Sequence, residues 1–210
     1  MAVTFKVDKY TDLHKQLQKT EKLSETVLKR TLYDMKTRAP GWIAKEVAGQ
    51  YGVKKSDVSS GKLGSMNVRG DTIESVEIVY RGRVLTPTHF GMTPKAPGKG
   101  AYTLKASVLK GQKATLGKVK KLTKKQRKAL GKNFTRSGTQ NSDHSPIMLM
   151  PTGSTYIPFQ RKSKNRKDVE AIKTVSLPQM VGGKRTLPNI DKALNENLQK
   201  RMEHHMKLMR

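Results

Sequence analysis

A chain of 210 residues with 43 Lys and Arg against 16 Asp and Glu carries a formal charge of +27 and a pI near 10.4, so its free copies repel one another and attract polyanions. The partners this implies are nucleic acid or acidic protein surfaces, although a membrane surface would satisfy the same electrostatics. A hydrophobic share of 34% with one Trp argues against a compact core filling the whole chain, and the absence of Cys excludes disulfides and thiolate metal sites.

In chain order, the first predicted element is a helix over 10–38, where Leu13, Leu17, Val27, Leu28, Leu32 and Met35 recur near the helical period. Pro40 interrupts it. A second, shorter helix is predicted over 40–50, with Pro in its first turn, an apolar side of Trp42, Ile43, Val47 and Tyr51, and Gly52 as its stop. The pattern then changes to alternation. Val76, Ile78 and Tyr80 predict a strand, 81–83 a turn, and Val84 with Leu85 the start of a return strand. Tyr102, Leu104, Ala106 and Val108 alternate with polar residues in the cleanest strand pattern of the chain. Residues 147–150 and 172–177 are further strand candidates. From Ile190 through Leu194, Leu198, Met202 and Met206 to Met209, apolar residues fall at helical steps and predict an amphipathic helix over 188–210.

The fold class that follows is α+β. A long and a short N-terminal helix pack on an antiparallel sheet, a long basic loop follows, and an amphipathic helix ends the chain. We expect one domain over 1–210, with 93–142 as a basic loop or insertion and 188–210 as a helical arm. No apolar block is longer than residues 147–150, and the first residues lack the apolar run of a signal peptide. The expectation is a soluble protein, or part of a soluble assembly, with no membrane partner.

Charge is most concentrated in the middle. From residue 78 to 142 there are sixteen Lys and Arg and no acid. The centre of this stretch holds Lys118, Lys120, Lys121, Lys124, Lys125, Arg127, Lys128 and Lys132. Thr123 and Gln126 have capping-box spacing and Gly131 is a natural stop, which predicts two helical turns over 124–130. A second cluster, Arg161, Lys162, Lys164, Arg166 and Lys167, reads as a basic loop. Three readings stay open for these cations: contact with nucleic-acid phosphates, docking on an acidic partner, or a solvated loop that keeps the chain soluble. Phe134 is the sole aromatic between Tyr102 and Tyr156, which weakens any single-strand stacking role.

No catalytic or metal constellation emerges, and we expect no enzyme and no cofactor. The Gly182-Gly183-Lys184 run lacks both the upstream Gly and the following Ser or Thr of a phosphate loop. Adjacent His204 and His205 point about 100° apart on a helix and make no ligand pair. The stripe of Leu194, Leu198, Met202, Met206 and Met209 offers either an adaptable face for a partner or cover for the chain's own core. The partner face is the favoured expectation.

Two segments carry a resemblance. One is Leu-Tyr-Asp-Met-Lys-Thr-Arg-Ala-Pro-Gly-Trp-Ile-Ala-Lys-Glu-Val over 32–47, continued by Tyr-Gly-Val-Lys-Lys-Ser-Asp-Val over 51–58. The other is Thr-Val-Ser-Leu-Pro-Gln-Met over 174–180, with Pro178, Gln179 and Met180 as its core. Together with the middle segment 83–90, they resemble the phage minor tail protein Z family of tail-completion, or neck, proteins. The resemblance implies a structural virion protein at the head-proximal end of a tail. It implies a ring, often sixfold, that touches the tail tube or tail terminator on one side and the head-neck connector on the other. It also implies assembly in the host cytoplasm, in a setting where a channel for packaged double-stranded DNA tolerates a non-specific cationic lining. DNA and an acidic protein both stay open as what the basic stretch meets. The rival class, favoured by composition alone, is a free basic nucleic-acid-binding protein of ribosome- or nucleoid-associated type.

Overall fold

The computed structural model describes residues 2–5, 21–72, 75–97, 102–119, 147–161 and 168–208. The fold is α+β, with one long N-terminal helix, short helices and antiparallel sheets. It divides into two compact units, residues 1–83 with 176–210, and residues 84–175. No helix among the described residues is long and apolar enough to cross a membrane.

The first unit is built on α1 (Glu21–Gln50), a single helix that runs through Pro40. This corrects the expected break. Proline in a helix interior removes one backbone hydrogen bond and costs about 3 kcal/mol. Beyond it, however, Ile43, Ala44 and Val47 are at most 1% exposed, in line with Val27, Met35 and Ala39 before it. Burying the two larger aliphatic side chains contributes about 1.5–3 kcal/mol each, which offsets the proline. The portion of the predicted helix before residue 21 lies outside the described residues.

A short helix, α2 (Lys55–Ser59), follows and seats Val58 in the same core. The three-stranded antiparallel sheet has β3 (Glu77–Arg81) in the centre, between β1 (Ala2–Phe5) and β2 (Ser65–Arg69). Val76, Ile78 and Tyr80 are buried as their alternation predicts. Gly70, with φ of 102°, turns the chain between β2 and β3 where a Cβ would collide with the Ser75 carbonyl oxygen. Val84 and Leu85 do not return along β3, because both edges of β3 are already taken by β1 and β2. Leu85 instead exchanges backbone hydrogen bonds with 174–175 in the second unit.

Two C-terminal helices complete the first unit. The 172–177 segment, expected as a strand, ends instead in α3 (Leu177–Val181). Its cap is reciprocal: the Gln179 N–H donates to Ser176 Oγ at 3.3 Å and the Ser176 N–H donates to Gln179 Oε1 at 2.8 Å. That pair satisfies two backbone donors at the helix start, so the Val and Ile preceding it do not extend the strand. The last helix, α4 (Leu187–Lys207), packs along α1 and buries Ile190, Leu194, Leu198 and Met202.

The second unit contains a hairpin of β4 (Tyr102–Ala106) with β5 (Ala114–Val119), both inside the segment expected as a basic loop. It also contains an antiparallel sheet in the order β6 (Ile147–Thr152), β7 (Thr155–Arg161), β8 (Val169–Ala171). Phe90, Met92, Leu104, Ala106, Val119 and Ile147 form its buried interior. Gly117 has a φ of 156°, which residues other than glycine rarely adopt, and a Cβ there would also meet Ile147 Cδ1, the movable end of its side chain.

Candidate nucleic-acid interface

Residues 84–175 contain twenty Lys and Arg and three acids, so most of the chain's net charge belongs to the second unit. Its best-described cationic surface is the β4–β5 hairpin. Thr103 lies opposite Lys118 and Lys105 opposite Thr115, with a register shift after Leu104. Residues opposite each other in a ladder share a face, and alternate residues share a side. Thr103, Lys105, Thr115 and Lys118 therefore form the outer face, while Leu104 and Val119 turn inward and are buried. The connection between the strands adds exposed Lys110 and Lys113, turned by a Gln112 N–H to Leu109 carbonyl bond of 3.2 Å.

The hairpin is held firmly. Thr93 and Lys105 exchange backbone hydrogen bonds of 2.8 and 2.9 Å on the edge of β4 away from β5, and the Ser107 N–H donates to the Phe90 carbonyl at 2.9 Å. Tyr102 lies on the inner face opposite Val119, and burial raises its phenol above the usual tyrosine range. Lys173, in the same unit, is engaged with Glu170 at 2.6 Å.

Of the cations singled out in the sequence, Lys118 is exposed on β5 and Arg161 is the last residue of β7. Lys120, Lys121, Lys124, Lys125, Arg127, Lys128 and Lys132 lie outside the described residues, as do Lys162, Lys164, Arg166 and Lys167 and the two helical turns predicted over 124–130. Lys105, Lys110 and Lys113 went unmarked in the sequence because they are spread through an alternating pattern. Only the strand register gathers them.

Of the resemblance-carrying segments, 32–47, 51–58 and 176–180 belong to the first unit, while 84–90 and 174–175 belong to the second. Ile43, Val47 and Tyr51 are buried, as are Pro178 and Met180, while Gln179 is exposed at the cap of α3. Trp42, on the predicted apolar side, is half-buried. It stands one residue off the buried line of α1 that Ile43 occupies.

The C-terminal stripe is corrected too. Leu194, Leu198 and Met202 are 4%, 2% and 0% exposed within the chain's own first unit, so they are not free to meet a partner. Met206 is half-buried, and Met209 lies outside the described residues.

A polar cluster that sequence reasoning did not find joins α1 to α4. The Asp34 carboxylate, 10% exposed, accepts from Arg38 Nε at 3.0 Å on one oxygen. His205 Nε2 at 3.0 Å and Arg201 Nε at 3.8 Å face its other oxygen. Asp34 and His205 are 171 positions apart, and no local pattern signals that pairing. The groups are turned on one another between two packed helices, which suits a clamp rather than a reaction centre. Among the described residues, no three His, Asp or Glu are grouped to hold a metal ion. Compared with known protein families, with curated proteins and with solved structures, the chain matches none.

Proposed function

We propose that this chain is a structural, non-enzymatic component of a phage or phage-like tail. It completes or caps the head-proximal end and joins the tail to the neck as one subunit of a ring. The observation that carries this reading is that the two segments resembling tail-completion proteins, far apart in sequence, share one core. α3 packs against α1, and the backbone at Gly183 comes so close to Tyr51 that a Cβ there would lie 3.0 Å from its hydroxyl. A chance likeness in two separate segments would not require them to fit together. The strongly cationic second unit suits a ring that surrounds or abuts packaged DNA, where neutralisation without sequence readout is sufficient.

That same charge also favours the second reading, a free nucleic-acid-binding protein. Size-exclusion chromatography with light scattering, before and after nuclease and at about 0.15 M salt, where repulsion between copies is screened, separates the two. A tail-ring subunit is expected to form a closed oligomer, about six copies, whose mass survives nuclease. A monomer whose apparent mass falls to that of one chain once nucleic acid is digested would overturn the tail reading in favour of the second.

A further inference from the structure

The outer face of the β4–β5 hairpin carries Lys105 and Lys118 between Thr103 and Thr115, and its connection carries Lys110 and Lys113. All four lysines are exposed, and none has an ion-pair partner among the described residues. Lys105 and Lys118 are diagonal neighbours across the ladder, with backbones about 7–8 Å apart. With no acid between Glu77 and Asp143, the local sequence offers them nothing to neutralise this pair.

We infer that this hairpin face is a contact surface for the phosphate backbone of double-stranded nucleic acid, independent of base sequence. Lysine ammonium groups and threonine hydroxyls are both donors to phosphate oxygens. The face carries no aromatic ring, so it gives single-stranded bases no stacking platform. It also presents no exposed large apolar side chain, Leu116 at the register shift being half-buried, whereas a protein partner needs a desolvated apolar or aromatic anchor at the centre of its footprint. Phosphate contact needs no such anchor. The lysines are also pre-positioned, since β4 is bonded on one edge to β5 and on the other to Thr93. The inference holds whether the chain acts in a ring or alone.

The test uses the full chain with Lys105, Lys110, Lys113 and Lys118 replaced by Gln. Binding to a duplex of about 25 base pairs is followed by fluorescence anisotropy across a salt series, on two unrelated sequences. Each lost phosphate contact flattens the plot of log affinity against log salt by about 0.9, so the variant is expected to lose roughly 3–4 units of slope equally on both. Replacing the same four residues by Arg should retain the slope. If the Gln variant does not fold, Lys110→Gln and Lys113→Gln singly, both in the connection, should each remove about 0.9. A folded variant with unchanged slope overturns the inference. So does a variant that keeps its duplex slope but loses binding to polyglutamate, which would assign the face to an acidic protein. Light scattering on the same sample keeps the outcomes apart, because an oligomer that persists while the slope is unchanged refutes this surface and leaves the ring.

Discussion

Tyr80 sits in the middle of β3 at 1% exposure, and its phenol oxygen has no hydrogen-bond partner among the described residues. Burial of this kind disfavours the phenolate, and it pushes the group well above the ordinary value of 10.0. The sign follows from linkage. The folded state keeps a proton that the unfolded chain has released above that ordinary value, so this contribution is whole below it and is lost as pH rises, at about 1.4 kcal/mol per pH unit. Tyr80→Phe has no such proton. Urea unfolding from neutral pH to about pH 11 should show the variant at least as stable at neutrality, with an advantage that grows above about pH 10. Parallel pH profiles for the two proteins would show that Tyr80 is not the group responsible. Ile43 and Trp42 give a second contrast at this scale. Ile43 is 1% exposed and its truncation to Ala should cost about 2–5 kcal/mol, whereas half-buried Trp42→Ala should cost less despite the larger side chain. Denaturant midpoints for the two variants check the order.

Among the elements, α4 decides whether the first unit stands. Leu198 and Met202 are at most 2% exposed, and each contributes roughly 1.5–3 kcal/mol by burial, a large share of a marginal total. Removing residues from 198 onward is therefore expected to unfold the unit, with loss of helical circular dichroism and of a cooperative melt. A truncated chain that remained folded but failed to assemble would restore the partner-face reading. At the same junction, Asp34→Asn should cost about 1–3 kcal/mol, discounted because Arg38 and Arg201 are 50% and 31% exposed. A double-mutant cycle with His205→Ala should return a coupling near 1 kcal/mol, and a coupling of zero would reduce the clamp to coincidence. The elements readable in advance were those whose own period decides them: the stripe from Ile190 to Met202, the alternation of β3, and that of β4. Pro40 misled because its cost is local while Ile43 and Val47 gain their burial from distant neighbours. Residues 172–177 misled because β-branched residues pointed to a strand, while Ser176 and Gln179 spelled a capping box that ends it. β5 was hidden by Gly117, which sits beside the register shift of the hairpin with a φ of 156°. The hairpin's lysines were hidden likewise, since local charge density draws attention to runs and overlooks cations assembled by register.

For the whole molecule, charge sets the conditions under which the proposed ring could assemble. Six copies of a +27 chain brought into one ring oppose closure by mutual repulsion, most strongly through residues 84–175 with their twenty cations and three acids. Screening relieves this as the Debye length shrinks from about 30 Å at 0.01 M salt to about 8 Å at 0.15 M. Polyanions relieve it further by neutralising the cations directly. The proposed ring should thus be sparse at low salt and favoured as salt rises, the reverse of an assembly held by ion pairs between subunits. Adding a short duplex at low salt should substitute for the missing screening. Light scattering on the purified, nuclease-treated chain from about 0.02 to 0.5 M salt would record this as a rising mean mass. If rings instead dissolve as salt rises, opposite charges between subunits hold them, and the cations of the second unit face neighbouring copies rather than a polyanion.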